Sequence, residues 1–165
     1  MADDVAIEGL DGVLDAMGKL TDKVQRKIVT AAARKGANVI RDRARSNAAR
    51  VDDPQTPESI AKNIVTQAMS KRRVPDGVGM RVGVLGGAKQ YKKNKTNERK
   101  GRVGESYAVG GHKDNPGGDT FYWRFLEFGT AHVKAEPFMR PAMEEEKTAA
   151  FDAVAASLQQ AIFGE

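Results

Sequence analysis

Two short segments near the C-terminus constrain the fold of this chain most: Tyr122-Trp123-Arg124-Phe125-Leu126-Glu127-Phe128-Gly129-Thr130 and Pro137-Phe138-Met139-Arg140-Pro141-Ala142. Together they hold the single tryptophan and three of the six phenylalanines, in a chain only 6% aromatic. Ring side chains at this density belong in a core or against another subunit, because their burial dominates the energetics of both. The segments therefore read as a docking or assembly element rather than a catalytic one. Gly129 permits a tight turn after the aromatic run. Pro137 and Pro141 fix the chain where it enters a helix, and Phe138 can anchor that connection. A buried Glu127 is expected to pair with Arg124 or Arg140, since buried charges are nearly always paired. On this reading, neutralising Glu127 would strand a buried guanidinium. Tyr122, Phe125 and Leu126 share one helical face and are expected in the core, whereas Trp123 and Phe128 point elsewhere and suit a subunit contact.

The rest of the chain reads as a single α+β domain over 1–165. Val5-Ala6-Ile7 is a candidate edge strand. Val13, Leu14, Met17 and Leu20 predict a short helix over 11–19. Thr21 or Asp22 can cap a long second helix with Val24, Ile28, Ala31 or Ala32, Gly36, Val39, Ile40 and Ala44 inward. Its other face is basic: Lys23, Arg26, Lys27, Arg34, Lys35, Arg41 and Arg43. Thr56-Pro57-Glu58 reads as a short helix start. Residues 63–69 and the alternating run Val78, Met80, Val82, Val84 predict a small antiparallel hairpin around Pro75-Asp76-Gly77. A last helix is expected from Pro141 to about Phe163, acidic at its start and buried along Phe151, Val154 or Ala155, Leu158 and Ile162.

The net charge is +5, and its distribution is local. Lys89, Lys92, Lys93, Lys95, Arg99, Lys100 and Arg102 face only Glu98 and Glu105, an excess equal to that of the whole chain. They lie in a Gly-, Lys- and Asn-rich stretch, 86–118, expected to be an extended basic arm with little order in a free subunit. The arm suits a neighbouring subunit or nucleic-acid phosphates, with Tyr91 available for stacking. A basic nucleic-acid-binding module is thus the alternative to an assembly role.

Catalytic chemistry finds little support. The absence of cysteine excludes a disulfide scaffold, a thiolate nucleophile and a cysteine-held metal. His112 and His132 lack metal-ligand spacing, no serine sits in a nucleophile elbow, and the glycine pairs form no phosphate loop. The expectation is no enzyme activity and no metal or cofactor. No apolar run reaches the length of a membrane span, and the acidic start Met1-Ala2-Asp3-Asp4 does not resemble a signal peptide, so a cytosolic product is expected.

The two C-terminal segments resemble the tail-completion, or head-to-tail neck, family of long-tailed phages. Its members carry a tyrosine-rich stretch ending Glu-Phe-Gly-Thr, here Glu127-Phe128-Gly129-Thr130. A Pro-Phe-aliphatic-Arg-Pro-Ala segment follows, here Pro137 to Ala142. Ile7-Glu8-Gly9-Leu10 before a long helix bearing Ala44-Arg45 also fits. Thr56-Pro57-Glu58-Ser59-Ile60 departs from the family's Thr-Gly-x-Leu-x-x-Ser-Ile. The resemblance implies a structural virion protein, made in the host cytoplasm. It would form a homo-oligomeric ring, six-fold by expectation, between tail tube, tail terminator and neck proteins, with DNA passing through.

Overall fold

A computed structural model describes residues 10–85, 89–107 and 116–164. In chain order the elements are α1 (Leu10–Gly18), α2 (Asp22–Val51), α3 (Ile60–Asn63), β1 (Ile64–Ala68), β2 (Met80–Val84), β3 (Lys89–Gln90), α4 (Lys95–Arg99), β4 (Ser106–Tyr107), α5 (Trp123–Phe128), α6 (Met139–Glu145) and α7 (Lys147–Phe163). The chain is α+β, as the sequence leads one to expect. It divides into two compact units. One takes in the chain up to Asp42, Thr66–Val82 and the chain from Met143; the other takes in Arg43–Val65 and Gly83–Ala142. The candidate strand Val5-Ala6-Ile7 lies outside the described residues.

In the first unit α1 packs on α7, and Gln25 ties α1 to α2 by donating to the carbonyls of Met17 (2.7 Å) and Leu20 (2.9 Å). The carbonyl of Thr21 accepts from Val24 and Gln25, opening α2 where a cap is expected. Acidic Asp22 at its start and basic Arg50 at its end suit the helix dipole. The buried line of α2 here runs through Ala32 and Gly36, while Val24 is exposed. A Cβ on Gly36 would stand 2.6 Å from both the Ala150 carbonyl oxygen and Val154 Cγ2. Close approach to α7 requires glycine at this point.

The same contact corrects the expected stripe of the last helix. Ala150 and Ser157 are buried, whereas Phe151 is exposed, because a backbone this near selects small residues. The single helix expected from Pro141 is two, α6 and α7. They part at Glu146, whose φ of −104° and ψ of 9° leave helical geometry.

β1 and β2 form an antiparallel hairpin, with Met69 N–H donating to Gly79 O (2.8 Å) at the turn end and Leu85 N–H to Asn63 O (2.8 Å) at the other. β3 and β4 form a second antiparallel pair, Lys89 opposite Tyr107 and Gln90 opposite Ser106. Between them lies α4. Within the expected basic arm, residues 89–107 thus carry a β3–α4–β4 element. Residues 86–88 and 108–115 of the expected arm lie outside the described residues, and 116–118 are described.

In the second unit the buried apolar residues are Ala44, Ala48, Ile60, Ile64, Phe138 and Ala142, and four polar side chains are buried, Asn63, Asn97, Thr120 and Glu127. Helix α3 starts later than expected. Ser59, not Thr56, caps it, its hydroxyl accepting from Lys62 N–H. Thr56 instead closes a turn on the Asp53 carbonyl.

Candidate assembly surface

The two signature segments meet through the stretch between α5 and α6. Gly129 ends α5 with its N–H on the Phe125 carbonyl, at φ 73° and ψ 179°, a region essentially only glycine occupies. A Cβ there would lie 2.9 Å from Ala135 N. Thr130 Oγ1 accepts from the N–H groups of His132 (3.2 Å) and Val133 (3.0 Å), and Glu136 N–H returns to the Leu126 carbonyl (2.8 Å). This return delivers Phe138, fully buried, beneath α5.

Glu127 then caps α6. Its side chain is 2% exposed. Oε2 accepts from Phe138 N–H (2.8 Å) and Met139 N–H (2.9 Å), and Oε1 from Arg140 N–H (3.1 Å) and Arg140 Nε (3.3 Å). A helix starts with four backbone N–H groups lacking intrahelical partners. Here Glu127 takes three, and the fourth position is Pro141, which has no N–H. Negative charge at this end also suits the dipole. Arg140 Nη2 donates to the Glu127 carbonyl (2.9 Å). The expected pair is therefore Glu127 with Arg140 rather than Arg124. The guanidinium is not buried, however: the Arg140 side chain is 59% exposed.

Beneath α5, Tyr122 Oη donates to Asp52 Oδ1 (3.1 Å) while Asp52 Oδ2 accepts from Ile60 N–H (2.7 Å). Burial, then the Asp52 charge and this hydrogen bond, push the Tyr122 phenol up to about 12. Asn63 is a hub that sequence reasoning missed. Its amide donates to Gly118 O (2.9 Å) and Thr120 Oγ1 (2.8 Å), and its oxygen accepts from Gly117 N–H (2.7 Å). A Cβ on Gly117 would collide with the Ser59 carbonyl oxygen. Arg45 grips the Ile64 carbonyl with Nε (3.0 Å) and Nη2 (2.7 Å). Asn63 ends α3 directly before β1, a position where a polar residue reads as surface.

What α5 and the turn before it hold outward is aromatic. Phe121, Phe125 and Phe128, spaced four and three apart, are 44%, 50% and 64% exposed, with Val133 exposed in the following loop. Phe121 meets Phe125 edge-on (centroids 6.5 Å apart), and the Arg140 guanidinium lies 5.5 Å from the Phe128 ring centre. Phe125 is thus outside rather than in the core, because the inward side of this six-residue helix is given to Glu127. Phe128 faces out as expected, and Trp123 is half-buried.

The basic residues gather separately on β3–α4–β4. Lys92, Lys93, Lys95, Arg99 and Lys100 are exposed, Arg102 is half-buried, and Lys89 lies in β3. Among the described residues no three metal-ligating side chains converge, and no helix is long and apolar enough to cross a membrane.

Residues 11–129 match the family model described as "Bacteriophage HK97-gp10, putative tail-component". The chain belongs to this phage tail-component family. The match takes in α5 and Glu127 and stops before Phe138 and Arg140. No curated protein and no solved structure matches the chain.

Proposed function

We propose that this tail component is a non-enzymatic virion protein. It assembles with copies of itself into a ring at the tail–neck junction, where it completes the tail and joins it to the head through contacts with tube, terminator or neck proteins. The observation that carries this reading is the outward aromatic surface of α5 and the turn before it, Phe121, Phe125 and Phe128 with Arg140 at its edge. Aromatics and arginine are the residues enriched where protein surfaces bind, and three clustered exposed rings exceed what a solvated helix needs. The buried Glu127 cap holds this face on a defined helix pair.

The test is a triple variant, Phe121→Ser, Phe125→Ser and Phe128→Ser. It should keep the wild-type circular dichroism spectrum yet lose self-association in mass photometry. Supplied in trans to a phage lacking the gene, it should not restore infectious particles. A variant that assembles and complements as well as wild type would overturn the reading.

A further inference from the structure

Most of the cations between 91 and 107 are not consumed by the element that carries them; Arg102 is the exception. Asn97, 7% exposed, organises that element from inside. Its N–H donates to the Asn94 side-chain oxygen (2.8 Å), its amide donates to Lys92 O (2.7 Å), and its oxygen accepts from Arg102 Nε (2.9 Å). Arg102 in turn stacks 4.1 Å over the Tyr91 ring. Backbone bonds from Tyr91 to Glu105 O and from Gly104 to Tyr91 O close the strand ends. Lys92, Lys93, Lys95, Arg99 and Lys100 remain exposed around this frame. Among the described residues the only ion pair they make is Lys93 with Glu98, at 3.6 Å and open to solvent. Lys95 even opens α4 against the helix dipole. These charges serve something outside the element.

The composition separates two kinds of partner. A protein partner would favour an apolar centre and few lysines, as α5 offers. Here four of the five cations are lysines, and Val103 is the large apolar residue exposed among the described residues of the element. Lysine is a hydrated point charge that neutralises phosphate without demanding a planar match. We propose that β3–α4–β4 is a sequence-independent site for the phosphate backbone of duplex DNA, with Lys92, Lys93, Lys95, Arg99 and Lys100 as its contacts. The proposal stands apart from ring assembly and uses a different surface.

The test titrates full-length protein against a labelled mixed-sequence duplex of roughly 20 base pairs, by fluorescence anisotropy, from about 50 to about 200 mM KCl. With about four phosphates neutralised, affinity should fall about a hundredfold across that range. Changing the five cations to Gln should weaken binding at low salt at least ~10-fold and flatten most of the salt slope. A charge-matched control changes Lys19, Lys23, Lys27, Arg34 and Lys71 to Gln and should keep the slope. Thermal melts check that both variants fold, and Lys92→Gln with Lys93→Gln serves if the larger variant does not. Equal losses in variant and control would reduce the effect to net charge and overturn the site. So would no binding at the lowest salt, or competition by poly-glutamate as effective as by DNA, which would mark an acidic protein as the partner.

Discussion

At Glu127 one carboxylate meets four donors, three of them backbone N–H groups and only one a guanidinium. The chemistry is helix capping from a distant residue, with the ion pair secondary. Glu127→Gln separates the two. However the amide turns, its NH2 faces at least one N–H donor, leaving a buried donor unpaired at about 1–3 kcal/mol. Arg140→Met removes a mostly exposed group and should cost less, about 1 kcal/mol. Chemical denaturation measures both, and an Arg140→Met loss equal to that of Glu127→Gln would restore the ion pair as the main term. Tyr122 gives a second prediction, in pH. Its phenol ordinarily titrates near 10 and is pushed to about 12 in the fold. The raised value means its contribution to stability is whole below pH 10 and is lost as pH climbs through 12. In an absorbance titration of the three tyrosines, one phenolate should appear late, and Tyr122→Phe should remove it. A titration with no late phenolate would refute the Tyr122 contact with Asp52.

The elements differ in how far the chain announced them, and the reason is the range of the forces that hold each one. Helices α1 and α2 and the β1–β2 hairpin follow from apolar periods of 3.6 and 2, which any solvated element must obey. The inward line of α2 moved toward small residues because Gly36 meets the α7 backbone at 2.6 Å from its would-be Cβ, a contact no single-helix pattern encodes. The same proximity put Phe151 outside. Helix α4 was hidden within a loop-like composition. It is five residues long and rests on the Asn94 cap and the Asn97 hub, both polar and local. The Glu127–Arg140 pairing was legible because both residues sit in one compact signature. The main acceptor role of Glu127 was not, since its partners are backbone groups of any sequence. Asn63 was invisible for the same reason: two of its three partners are the main chain of Gly117 and Gly118.

At the scale of the molecule, five of the six phenylalanines lie outside the core, and only Phe138 is buried. They fall into two sets. Phe121, Phe125 and Phe128 belong to the unit holding α5, with exposed Arg124 and Arg140 beside them. Phe151 and Phe163 belong to the unit holding α1 and α7, where Leu14 is also exposed and Asp11, Asp15 and Asp152 are nearby in sequence. Cations accompany the first set in sequence and carboxylates the second, and complementary charge steers and orients association. A ring of identical subunits needs two different surfaces per copy, each meeting the other on its neighbour, whereas a two-fold dimer uses one surface twice. The proposed ring therefore predicts a complementation result. Phe125→Glu spoils one face and Phe163→Glu the other, so each variant alone should be monomeric. An equimolar mixture retains one intact pairing and should give dimers and nothing larger, read by mass photometry. If the mixture stays monomeric, the two faces do not meet each other and the head-to-tail arrangement fails. If Phe163→Glu alone still forms full rings, the α1–α7 face is solvated surface, and α5 must dock on another part of its neighbour.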